Sequence, residues 1–138
     1  MSISERISPL IGRLAIAWLF LSEAWTILHS WDATVTLMEM KHIGLAAPLL
    51  VIAVIVMILG GLSVALGYHT RIGAVMLFAF LVAVTFAMHD YWRLNEEADR
   101  AADYEIFIRN VAIAGALLLL MGMGPGPFAI DQPVKKKR

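Results

Sequence analysis

Four apolar stretches, each of bilayer length, leave this chain few choices of fold. They lie at about residues 9–28, 48–66, 71–90 and 105–123. About 20 residues of α-helix, rising about 1.5 Å each, cross roughly 30 Å of hydrocarbon. Backbone N–H and C=O groups have no water to pair with there, so such runs fold as helices. The reading is an all-α membrane protein, a bundle of four transmembrane helices in a single domain spanning residues 1–138. The first stretch carries Arg13 and Glu23 and has no small-x-small cleavage pattern, so no cleavable signal peptide is expected.

Ser8-Pro9 suits a helix start, with Ser8 as N-cap and Pro9 at the first helical position. Arg13, one turn in, can snorkel outward. Glu23 lies about 9 Å from the other end of the span. Trp25 and Trp31 fit an interfacial belt, and Trp25 and His29 are four residues apart on one face. Residues 32–43 are too polar and too short to span, and suit a short amphipathic helix on the membrane surface between the first and second spans. Gly60-Gly61 gives the second span a small-residue face for close helix packing. Gly67 is placed to cap that span's end and Thr70 to cap the next start. Gly124-Pro125-Gly126-Pro127 stops the fourth span, and residues 129–138 form a basic tail ending in Lys135-Lys136-Lys137-Arg138.

Four spans put both termini on one side. With Arg6, Arg13, Arg71 and the tail on that side, against Lys41, Arg93, Arg100 and Arg109 on the other, the positive-inside rule expects cytoplasmic termini in a bacterial inner membrane. The tail decides this count and suits contact with anionic lipid.

The polar chemistry gathers between the third and fourth spans. Residues 89–110 hold six acidic side chains and end in Arg109-Asn110, inside the last apolar stretch. A guanidinium there is costly without a partner, and Glu23 of the first span is at a matching depth. The candidate ligand-binding residues are Glu23, Thr85, His89, Asp90, Trp92, Arg109 and Asn110, with Trp25 and Tyr91 nearby. One reading is structural, with a Glu23–Arg109 ion pair locking the first span to the fourth. The other is a pocket for a polar or amphipathic ligand such as a quinone head group. His89, Arg109 and Asn110 would donate hydrogen bonds to it, and Asp90 or Glu23 would relay protons. The four histidines show no close ligand spacing, so neither a metal nor haem is expected. Cysteine is absent, which excludes disulfides and dithiol chemistry within the chain. Nucleic-acid motifs are absent too, and so few internal polar groups make a poor transport path.

The strings PLIGRLAIAWLFL, GLAAP, ILGGLSVALGYHTRIGA, HDYW and RNVAIAGALLLLMGMGPGPFAID, taken in order, resemble the DoxX family of small four-span bacterial membrane proteins. The resemblance covers nearly the whole length. It departs from the family at Met57, the nearest match to a glutamate that members often carry, at Glu23, near where they often carry a lysine, and at Arg109-Asn110, where they often read Lys-Asn. It implies a subunit or accessory of a quinone-linked redox system, in sulfur-compound oxidation or oxidative stress. Quinone would be the cofactor, with none held covalently by the chain, and a redox protein the partner. The alternative is a non-enzymatic scaffold or a lipid-binding or assembly protein. Membrane lipids are expected partners under both readings. Oligomers of the chain are compatible with both, and whether it is catalytic stays open.

Overall fold

A computed structural model describes residues 2–131. The described residues form five α-helices: α1 (Ile3–His29), α2 (Trp31–Met40), α3 (Ala46–Leu66), α4 (Thr70–Met88) and α5 (Glu97–Met123). A single 3-10 turn, Tyr91–Arg93, joins α4 to the loop before α5. Helices α1, α3, α4 and α5 are long and apolar enough to cross a membrane. The protein is a helical membrane bundle, with the short α2 lying between the first two spans as expected.

The helices pack in series, α1 on α3, α3 on α4 and α4 on α5. Each buries a stripe at helical spacing: Arg13, Ala17, Phe20 and Ala24 on α1; Leu50, Val54, Met57 and Val64 on α3; Leu77, Leu81 and Thr85 on α4. Lipid tails are as apolar as these side chains, so close fit rather than water exclusion must hold the seams. The glycine pair provides that fit on both sides of α3. A Cβ on Gly60 would lie 2.7 Å from Leu77 of α4, and one on Gly61 would lie 3.0 Å from Leu21 of α1. Helix α5 buries only Asn110 and Leu117, and it scarcely touches α1. The bundle is therefore a bent row of four helices, not a closed ring.

Several boundaries differ from the sequence expectation. Helix α1 starts at Ile3, because Ser2 and Glu5 form a reciprocal capping box; Pro9 then lies inside the helix. Helix α4 is preceded by His69 in a left-handed conformation, and Thr70 is its buried first residue rather than its cap. Helix α5 begins at Glu97, eight residues before the apolar stretch, since Glu97 and Asp99 suit the positive end of a helix dipole. Gly67 ends α3 at φ +70°, as its position predicted.

The largest departure is at the terminal end. Arg13 does not snorkel; it is 2% exposed. Its Nη1 donates to the Pro125 carbonyl at 2.9 Å and its Nη2 to the Phe128 carbonyl at 2.6 Å. Residues 124–131 thereby fold back across the bundle. Ile130 N–H donates to the Leu66 carbonyl, Asp131 N–H to the Gly67 carbonyl, and the His69 N–H to the Asp131 carboxylate. The start of the expected basic tail is thus a strap over α1, α3 and α4. The four terminal cations lie outside the described residues.

Candidate functional site: a lateral cleft between α1 and α5

The gap between α1 and α5 opens into a cleft at the end of the bundle away from the strap. Leu19, Phe20, Glu23 and Ile27 of α1 form one wall, and Arg109, Asn110 and Ile113 of α5 the other. Met57 of α3, with Phe80, Leu81 and Val84 of α4, makes an apolar floor, and His89 closes one edge. Its volume is about 150 Å³. Small-molecule sites usually run to about 300–1,000 Å³, and a cavity near 150 Å³ holds a benzene-sized body. The space fits a stretch of hydrocarbon chain or the neck of an amphipathic molecule entering from the side.

The fold brings together four of the seven expected site residues on this cleft: Glu23, His89, Arg109 and Asn110. The others serve elsewhere. Thr85 is buried behind Asn110, accepting from its Nδ2 at 3.0 Å and donating to the Leu81 carbonyl at 2.6 Å. Asp90 pairs with Lys41, the C-cap of α2, and lies 3.8 Å from Arg93 Nε. Trp92 packs with Phe86, Tyr91 and Phe107 in an aromatic cluster, away from the cleft. Trp25 stacks on His29, whose Nδ1 lies 2.8 Å from the Trp25 carbonyl.

Glu23 and Arg109 face the same cleft, but no ion pair joins them; the ion pairs among the described residues are Lys41–Asp90 and Arg93–Asp90, with His89–Asp103 a third when the ring is protonated. The reason is architectural, since the helices that carry them do not pack. The links that do tie α4 to α5 are Thr85–Asn110 and His89–Asp103, the latter at 2.8 Å. A carboxylate only accepts, so His89 Nδ1 carries the proton and Nε2 is left as an acceptor when the ring is neutral. Sequence reasoning missed Asp103 and Lys41 as the partners of His89 and Asp90. Asp103 lies fourteen positions from His89, and the break between α4 and α5 falls between them, so no single helix face marks the pair.

Comparison with known proteins decides the family. The SURF4 family model matches residues 45–138. The chain belongs to the SURF4 family. It is 31% identical over 125 residues to the inner membrane protein YphA of Escherichia coli, covering 89% of this chain and 87% of that one. It is 26% identical to the inner membrane protein YqjF of the same organism, covering 96% of each. The ER-derived vesicles protein ERV29 of Saccharomyces cerevisiae is 33% identical over 84 residues, covering 61% of this chain but 26% of its own length. No solved structure matches significantly. These matches overturn the DoxX resemblance. The strings that carried it are mostly apolar helix and small-residue turns, which unrelated four-span bundles share. This SURF4-family chain is a multi-pass membrane protein, and its bacterial relatives are inner-membrane proteins.

Proposed function

We propose that this SURF4-family protein is a non-enzymatic membrane protein that holds one amphipathic lipid in the α1–α5 cleft, as part of a lipid-binding or assembly role. The carrying observation is the unclosed seam. Three helix pairs pack and the fourth does not, leaving an apolar-floored cleft with charged groups only at its walls. In a bilayer such a groove is filled by whatever is adjacent, and lipid is the adjacent species. Arg109 lies about three residues inside the apolar part of α5, or about 4.5 Å, which suits the level of lipid head groups. The quinone reading has lost the family resemblance that motivated it, and a lipid chain fits the floor equally well.

The test is the lipid that stays with the protein through gentle detergent extraction, read by native mass spectrometry. One retained lipid per chain is expected, and Ile113→Trp, which fills the cleft, should displace it. Wild-type protein that emerges without lipid, or a variant that keeps it fully, would sink the reading. On the charge count, both termini face the cytoplasm in this proposal. A C-terminal reporter enzyme active only in the cytoplasm should then be active, and a silent one would reverse the orientation.

A further inference from the structure

We infer that the cleft selects a zwitterionic glycerophospholipid with a primary ammonium group, the phosphoethanolamine head-group class. This deepens the lipid reading and rests on it. Glu23 and Arg109 stand on opposite walls of one cleft, carry opposite charge, and have no ion-pair partner among the described residues. At the edge of hydrocarbon an unpaired charge is expensive. An anionic head group would satisfy Arg109 and be repelled by Glu23, and an uncharged one would satisfy neither. A head group with a phosphodiester and an ammonium satisfies both, and bridges the two helices that the protein leaves unbridged.

The hydrogen-bonding groups favour a primary ammonium over a quaternary one. Arg109 presents a planar donor fork of the kind that matches phosphate oxygens. Two other cleft groups offer acceptor atoms. The Glu23 carboxylate accepts, and Asn110, which spends one Nδ2 proton on Thr85, leaves Oδ1 without a donor. A primary ammonium supplies three N–H donors to such groups, and a trimethylammonium supplies none. Quaternary ammonium groups are instead recognised by aromatic cages. The aromatics on this cleft, Phe20 and Phe80, belong to α1 and α4 among its apolar lining, beside Met57 and Leu81.

The experiment reconstitutes the full chain in nanodiscs holding equal fractions of phosphatidylethanolamine, phosphatidylglycerol and phosphatidylcholine, then ejects it for native mass spectrometry. The wild type should retain phosphatidylethanolamine about threefold or more over each of the others, the size expected of one screened charge pair. Glu23→Gln should bring phosphatidylethanolamine and phosphatidylglycerol to parity while total bound lipid stays. Arg109→Gln should lower retention of all three. Neither residue has an ion-pair partner among the described residues to lose, so both variants should fold, which their thermal unfolding checks. Equal retention of the three lipids by the wild type, with Ile113→Trp still displacing them, overturns the head-group assignment and leaves the lipid cleft standing. No retained lipid overturns both. A second copy of the chain, or another protein, seated on the α1–α5 face in place of lipid overturns both as well.

Discussion

Arg13 lies in α1 and Arg109 in α5, each within an apolar helix and at opposite ends of the bundle. The protein treats them in opposite ways. Arg13 is sealed under residues 125–128 and spends both terminal nitrogens on backbone carbonyls. Arg109 is exposed, faces an open cleft, and has no ion-pair partner among the described residues. One guanidinium completes the fold, while the other is left for something outside it. The difference lies in the surrounding helices. At the terminal end, a Gly-Pro-rich segment is free to turn back and supply carbonyls. At the loop end, α1 and α5 diverge and supply nothing.

Substitutions test that contrast by separating stability from binding. The largest effect should come from Arg13→Met, which removes two charge-assisted hydrogen bonds and strands two carbonyls. The expected loss is about 3 kcal/mol, read by thermal unfolding in detergent, together with new protease access near residue 128. An unchanged midpoint would mean the strap holds without Arg13. Gly67→Ala should cost about 1–2 kcal/mol, because φ is +70° and the new Cβ would lie 2.5 Å from both Ala129 and Arg13 Nη1. Asn110→Leu, which removes the bond to Thr85, should cost about 0.6–1 kcal/mol, and a double mutant with Thr85→Val should show the two effects coupled. Arg109→Gln should shift unfolding by less than about 0.5 kcal/mol, yet reduce bound lipid. A large destabilisation by Arg109→Gln would erase the contrast between the two arginines.

The four spans, the surface helix and the glycine-packed α3 were legible in the sequence, since length, apolar runs and small residues act locally. Gly67 was legible for the same reason, because few other residues adopt its backbone conformation. The strap was not. Its defining contact joins Arg13 to carbonyls more than a hundred residues away, and a carbonyl acceptor carries no side-chain signature. The apolar flank of Arg13 suggested snorkelling, while the Gly-Pro turns that allow the return were read only as a helix stop. At the cleft, depth along each span correctly grouped Glu23, His89, Arg109 and Asn110. Depth cannot say which helices are neighbours. In a row of four helices the first and last share a level without touching, so the anticipated ion pair became two unpaired walls. The aromatic cluster around Trp92 was likewise placed at the right level and on the wrong side of α4 and α5.

The strap also has a mechanical consequence. It fastens α1 at Arg13, while α5 scarcely touches that helix along its length. From Arg13 to Glu23 the axis runs about 15 Å, so a tilt of about 4° around the fastened end moves Glu23 by about 1 Å. Helix α1 is in that sense a lever with a fixed foot, and its far end sets the aperture of the groove. A rotation of that size would have to slide α1 against the stripe it buries on α3, so the strap and that seam together set the width of the groove.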